Sequence, residues 1–172
     1  MTTTQQINYR TIDSPFGLLL LAGRNNILQR IGFPTGKGAV QIQTHWQKDS
    51  RGFEEAARQL SEYFAGDRQS FDLALQPHGT DFQLQVLDAL QQIPYGQTTT
   101  YQAIANAIGR PNAVRAVGAA NGRNPLPIVI PCHRVIGTDG SLTGFGGGLP
   151  TKQFLLTLES QDFQLSSPVL EY

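Results

Sequence analysis

At 172 residues the chain is long enough to bury a sizeable core, either as one large domain or as two small ones. Its 40% apolar and 15% charged residues describe an ordinary soluble globule, and the apolar run Leu18 to Ala22 is far too short to cross a bilayer. Net charge is zero, which argues against a generic polyanion binder, and a single cysteine excludes a disulfide framework.

The first residues, Met-Thr-Thr-Thr-Gln-Gln, are polar and uncharged, unlike a signal peptide. From Ile7 to Phe33, short apolar runs (Gly17 to Ala22, Ile27 to Phe33) are broken by Asp13-Ser14-Pro15 and Gly23-Arg24-Asn25-Asn26, which predicts strands and turns. Gly36-Lys37-Gly38 is no phosphate loop, because its spacing is wrong and no Ser or Thr follows the lysine. Phe53, Ala56, Ala57, Leu60, Tyr63 and Phe64 recur at helical spacing, with Gly66 as a stop. Phe71, Leu73 and Leu75 alternate like a final strand. Pro77-His78-Gly79 marks a boundary. The first domain is therefore expected over 1–77, as a small sheet with one packed helix, and the second over 78–172.

The second half reads as helical. Thr80 and Gln83 make a capping box ahead of an apolar stripe of Phe82, Val86, Ala89, Leu90 and Ile93, which Pro94-Tyr95-Gly96 ends. Thr100 is placed to cap a helix from Tyr101 to Ile108, closed by Gly109 and Pro111. Asn112 is placed to cap another, from Ala113 to about Asn121. Two short helices joined by a glycine-containing turn make a helix-turn-helix, a pairing that also occurs in helical domains that never touch DNA. Ala113, Ala116, Gly118, Ala119 and Ala120 leave the second helix nearly bare, with Arg115 its only long side chain. Such a surface suits tight packing on a neighbouring helix or close approach to nucleic acid, and Arg115 favours the second reading.

Chemistry concentrates at Pro131-Cys132-His133-Arg134-Val135, which holds the only thiol. A lone cysteine in a core is usually an inert small hydrophobe. Here an imidazole and a guanidinium are its next neighbours, and both favour the nucleophilic thiolate over a thiol that otherwise titrates near ~8.5. Between Asp88 and Asp139 there is no carboxylate, while Arg110, Arg115, Arg123 and Arg134 all fall inside, so this stretch carries a local positive field. Only His45, His78 and His133 accompany the thiol, too few well-spaced ligands for a zinc site. A reactive thiol suits a reducing compartment, and the expected location is cytoplasmic.

Laid end to end, these pieces resemble the O6-alkylguanine-DNA alkyltransferases, or methylated-DNA–protein-cysteine methyltransferases. The resemblance rests on Ile12-Asp-Ser-Pro-Phe-Gly17, Glu62-Tyr-Phe-Ala-Gly66, Gly79-Thr-Asp-Phe-Gln83, Ile93-Pro-Tyr-Gly96, Arg115-Ala-Val-Gly118, Asn121-Gly122, Asn124-Pro125, Ile130-Pro-Cys-His-Arg-Val135 and Leu155-Leu156. It runs from about Tyr9 to Glu159. It implies an α+β chain, with a small ribonuclease-H-like N-terminal domain followed by a helical winged-helix domain. It also implies a reaction, in which O6-alkylguanine, with O4-alkylthymine as a second lesion, is flipped from duplex DNA and its alkyl group moves irreversibly to the protein.

By the same resemblance Cys132 is the acceptor, His133 and Glu159 form its base relay through a water, and Asn124 fixes the turn that carries the cysteine. Tyr101 hydrogen-bonds the leaving guanine and Arg115 fills the vacated stack. Val135, through its carbonyl, and the Phe145-Gly146 loop with Asn121 shape the substrate pocket. Gln102, Arg110, Ala113, Ala116, Gly118, Arg123 and Thr138 join Tyr101 and Arg115 against DNA. The expected protein is a monomer acting on double-stranded DNA, away from membranes, with no cofactor and no metal.

Bottom-up chemistry asks for the same parts. Breaking an O–alkyl bond by in-line attack needs a soft ionised nucleophile, the leaving base needs a hydrogen-bond donor, and an atom inside a duplex must leave the stack to be reached. Neighbours on a strand point to opposite faces, so Cys132 and His133 can cooperate only if the chain turns there. The chain also departs from its relatives. Phe145 stands where many carry tyrosine, Gly146 where some carry serine, Asn121 where some carry a larger apolar residue and Leu87 where tryptophan is common. The zinc ligands of some relatives' first domains are absent. Two other readings remain open at this stage. One is a cysteine hydrolase using Cys132 and His133, which would turn over many times. The other is a non-catalytic sensor of alkylated DNA, which would not need the cysteine.

Overall fold

The structure is a computed structural model and describes residues 6–160; the polar start, Met1 to Gln5, and the end of the expected second domain, 161–172, lie outside the described residues. β1 (Asn8–Ser14), β2 (Gly17–Arg24) and β3 (Ile27–Gly32) form an antiparallel meander. A short β4 (Gln47–Lys48) joins β1 in parallel, giving the order β3-β2-β1-β4. Asn25 and Asn26 turn between β2 and β3 with φ of 52° and 59°, the left-handed pair that a tight type I′ hairpin requires. Leu19 to Gly23 of the central strand are all buried, which explains why β2 reads as a continuous apolar run rather than an alternation.

α1 (Glu54–Phe64) lays Ala56, Leu60 and Tyr63 into the core, together with the polar Gln59. That glutamine changes the expected last strand. Its amide takes both backbone groups of Asp72, accepting from Asp72 N at 2.9 Å and donating to Asp72 O at 3.0 Å. Phe71, Leu73 and Leu75 do alternate toward the core, but with Asp72 held by a side chain the segment pairs with β3 only at Leu28–Leu75. No strand forms there.

In the second half, α2 (Asp81–Gln91) starts at the capping box, with Thr80 N to Gln83 Oε1 at 3.0 Å and Gln83 N to Thr80 Oγ1 at 3.2 Å. It buries Val86, Leu87 and Leu90. β5 (Thr99–Thr100) leads into α3 (Tyr101–Ala107), capped by Thr100 Oγ1 from Ala103 N at 3.1 Å. α4 (Val114–Gly122) departs from expectation at its start. The turn before it closes on its own backbone, Ala113 N to Arg110 O at 2.9 Å, so Ala113 takes the capping position and Asn112 caps nothing. A single 3₁₀ turn (Cys132–Arg134) follows, then β6 (Val135–Ile136), parallel to β5, and α5 (Leu149–Glu159).

The chain is thus α+β, a sheet unit followed by a helical unit, and one apolar cluster runs through both, from Leu19 and Leu60 to Val117, Ile130 and Leu158. Backbone bonds also join them, Ile31 N to Pro125 O and Gly38 N to Gly146 O, both at 2.9 Å. Among the described residues no helix is long and apolar enough to cross a membrane.

Candidate active site around Cys132

Cys132 sits at the end of a tightly held loop. Asn124 grips both of that loop's ends, accepting from Leu126 N at 2.9 Å and donating to Ile130 O at 2.8 Å. Inside the loop Ile128 is held at φ 74°, a conformation that costs a β-branched residue of the order of 1–3 kcal/mol and persists only where surroundings enforce it. Ile128 is 1% exposed, and its burial in the core supplies that enforcement. Pro131 then opens the 3₁₀ turn, closed by Arg134 N to Pro131 O at 3.1 Å. The chain therefore turns between Cys132 and His133.

Glu159, at the last turn of α5, collects four donors inside the protein. Its Oε1 accepts from Tyr63 Oη at 2.7 Å, His133 Nε2 at 2.8 Å and Arg134 Nη2 at 2.8 Å, while its Oε2 accepts from Arg134 Nε at 2.8 Å. Burial opposes its charge, but the hydrogen bonds from His133 and Arg134 and the charge of Arg134 prevail and hold the carboxyl at about 2. His133 is wholly buried, and that burial lowers its pKa despite the carboxylate, so the imidazole is neutral. With Nε2–H donating to Glu159, the neutral ring carries its lone pair on Nδ1, which is buried and unbonded among the described residues.

The expectation that both neighbours of Cys132 promote its thiolate is corrected here. Burial pushes the thiol up to about 11, and Arg134 does not oppose this, because its guanidinium is spent on Glu159, on Ile93 O at 2.6 Å and over the Tyr95 ring. The groups that do lower the thiol are the Asn124 side chain, the charge of Lys152, and the backbone N–H groups of Cys132 and His133. The resting state is therefore a neutral thiol and a neutral imidazole, and a thiolate forms there only by loss of the thiol proton.

Lys152 is the main residue that sequence reading missed. Completely buried in α5, it donates to Val135 O at 2.6 Å and Thr143 O at 3.1 Å, tying β6 to the loop before α5. A single lysine in an apolar helix gives no sequence signal for this. Tyr63 was missed as well, since an aromatic at helical spacing reads as core. Arg134 was noticed, but for the wrong partner.

A cavity of about 340 Å³ reaches Cys132 and is lined by Asn121, Asn124, Phe145 and Gly146 with Lys37 and Arg123. A second, of about 490 Å³, is lined by Tyr101, Gly118, Gly122 and Leu149. Lys37, Gly122, Gly144, Phe145 and Gly146 border both, so the two cavities adjoin at this loop. Tyr101 Oη shares a 2.6 Å hydrogen bond with Thr143 Oγ1, and Asn121 leaves its buried Oδ1 unbonded among the described residues. Val135 is fully buried, lines neither cavity and has its carbonyl on Lys152.

The helix-turn-helix residues divide by face. Val117 and Ala120 of α4 are core, whereas Arg115, Ala116 and Ala119 are exposed, so one face of the bare helix packs inside the protein and the other is open to solvent. Arg115 has no hydrogen bond or ion pair among the described residues. Gly118 passes the Tyr101 ring, where an added Cβ would sit 3.9 Å from the ring edge. Ala113 is half-buried, and Arg123 and Thr138 are exposed. Gln102 spends its amide on Asn106 Oδ1 at 3.0 Å and Pro111 O at 2.9 Å, and Arg110 lies over the Phe82 ring. These two brace the turn between α3 and α4.

Comparison with known proteins gives one answer for both units. Residues 7–77 match the model for the 6-O-methylguanine DNA methyltransferase ribonuclease-like domain, and residues 81–161 match that for the DNA binding domain of the same family. The chain is 53% identical over 156 residues to a methylated-DNA–protein-cysteine methyltransferase of Methanosarcina barkeri, covering 91% of this chain and 99% of that one. A protein of the same name from Mycolicibacterium paratuberculosis is 52% identical over 153 residues, covering 89% and 92%. Among solved structures, Mycobacterium tuberculosis OGT in complex with DNA superposes with a TM-score of 0.84 at 49% identity, covering 92% and 98%.

Proposed function

This chain belongs to the 6-O-methylguanine DNA methyltransferase family, and we propose that it carries out the family's reaction with Cys132 as acceptor and His133 and Glu159 as its base relay. It is a DNA-repair methyltransferase that moves an alkyl group from DNA to a cysteine of its own. The observation that carries the residue assignment is the 2.8 Å approach of His133 Nε2 to the ionised Glu159 with Nδ1 unbonded: the carboxylate can only accept, so Nε2 carries the proton and Nδ1 is free to take the thiol proton, through a water.

In the proposed step the proton of Cys132 passes to Nδ1 of His133, and Glu159 stabilises the imidazolium formed. The sulfur attacks the alkyl carbon of O6-alkylguanine in line, an S–C bond forms, and the C–O6 bond breaks with its electron pair on the base. The Tyr101 hydroxyl, with Thr143 beside it, donates to the leaving guanine. Val135 O, which already holds Lys152, offers its other lone pair to the guanine amino group. Asn121, Phe145 and Gly146 border the base, and Gly146 offers a backbone N–H where some relatives carry a serine. The thioether has no easy exit, so each molecule acts once.

The lesion lies inside a duplex, so the base leaves the stack, with Arg115 filling the gap. Tyr101, Gln102, Arg110, Ala113, Ala116, Gly118, Arg123 and Thr138 face the DNA, Gln102 and Arg110 from the turn between α3 and α4. O6-alkylguanine is the expected substrate and O4-alkylthymine a second one. We place the domain boundary at Pro77–His78, giving 1–77 and 78–172. Every residue invoked belongs to one chain, so a monomer suffices, and a reducing, cytoplasmic setting suits the thiol.

Intact-mass measurement after excess duplex carrying O6-methylguanine tests the assignment. One added methyl, mapped to Cys132, is expected, and Cys132→Ser should bind the duplex and gain nothing. Repeated turnover, or a methyl on another residue, would overturn it.

A further inference from the structure

The relay does not end at Glu159. The carboxylate that holds His133 is also held by a residue of the other unit, since Tyr63 Oη of α1 donates to the same Oε1 that accepts His133 Nε2, at 2.7 and 2.8 Å. Ninety-six residues separate Tyr63 from Glu159 in sequence. Tyr63 is 0% exposed and its ring is fixed from three sides, edge-on to Phe64 at 5.6 Å and Tyr95 at 6.3 Å and tilted on Phe71 at 5.3 Å. Burial and the neighbouring carboxylate both raise its pKa, so it remains a phenol and a donor.

We propose that Tyr63 is a positioning residue of the alkyl-transfer reaction, its hydroxyl setting how strongly Glu159 attracts the proton on His133 and so making the N-terminal unit part of the relay. This rests on the His133–Glu159 relay proposed above. The physical basis is sharing of one oxygen. A phenol donating to Oε1 withdraws electron density that would otherwise strengthen the bond to His133, and a carboxylate with one donor fewer is a stronger base toward those that remain. The remaining charged and titratable groups around the carboxylate are His133 and Arg134 of the 3₁₀ turn, with Tyr95 donating to Leu158 O at 3.3 Å and Lys152 of α5 acting on His133 through space.

Removing the hydroxyl should therefore raise the pKa of His133, and the acid limb of the alkylation rate should move to higher pH. The experiment measures the second-order rate of Cys132 alkylation by the free base O6-benzylguanine against pH, on the full chain, which isolates thiol chemistry from DNA binding. Tyr63→Phe should move the acid limb up by about half a pH unit. Replacing Tyr63 alone by 3-fluorotyrosine, a stronger donor of nearly the same shape, should move it down, and this arm carries the test if Tyr63→Phe folds poorly. Phe71→Leu, which loosens the same packing without touching Glu159, should leave the limb in place. A role in packing alone cannot move the limb in opposite directions. An acid limb abolished by His133→Ala but unmoved by either change at position 63 overturns this inference and leaves the relay standing. Absence of an acid limb in the wild type, with His133→Ala reacting normally, overturns both.

Discussion

Glu159→Gln is the most informative single change, because the side chain keeps its shape and loses its charge. As drawn from the structure, a glutamine oxygen at the Oε1 position can still accept from Tyr63, His133 and Arg134 Nη2, but its amide nitrogen then faces Arg134 Nε donor to donor. Arg134 is 7% exposed, and its guanidinium loses its counter-charge. Breaking a buried pair in this way costs about 3–5 kcal/mol. A second route gives a similar size. The carboxyl titrates at about 2 instead of 4.5, which at 1.36 kcal/mol per unit is about 3 kcal/mol. Because the folded pKa is lowered, that stability is fully present above pH 4.5 and is lost as pH falls through about 2. Urea unfolding of both proteins across this range should therefore show a gap of about 3 kcal/mol at neutral pH that closes in acid. Alkyl transfer, measured at low temperature where the variant remains folded, should fall by ~10²–10⁴-fold. A gap below about 1 kcal/mol, or one that stays constant down to pH 2, would refute the electrostatic account of this cluster.

Two further changes test other parts of the molecule. Arg115→Ala should strongly slow repair of a duplex lesion, since the proposed role of this side chain is to offset about a few kcal/mol of unstacking. It should leave transfer from free O6-benzylguanine nearly unchanged, and an equal fall on both substrates would assign Arg115 to the fold or the thiol instead. For the thiol, a folded pKa raised from 9.0 to about 11 means that its contribution is present below pH 9 and lost as pH rises toward 11. Wild type should lose up to about 2–3 kcal/mol over that window, as read by urea midpoints, and Cys132→Ala should lose less by that amount. Parallel decline of the two would show that the thiol is not held protonated.

Much of this protein was legible in the chain itself. Local signals are read from neighbours in sequence, and they placed the hairpin at Asn25-Asn26, the helix ending before Gly66, the capping box at Thr80 and the cap at Thr100. They failed where a distant side chain intervened, as when Gln59 took the backbone groups of Asp72, or where a turn closed on its own backbone, as at Arg110–Ala113. The motif around Cys132 singled out the thiol, and it required a turn between Cys132 and His133 that the 3₁₀ segment supplies.

What the sequence by itself singled out was the set of candidate reacting groups. Tertiary structure decided their state. Arg134 is next to Cys132 and His133 along the chain, but it turns to Glu159 25 residues away, and the cation that acts on the sulfur is Lys152 from α5. Tyr63 arrives from the other unit to share the carboxylate. Proximity in sequence offers a charge, whereas burial decides which charges find partners, because an ion removed from water is tolerable only where others meet it.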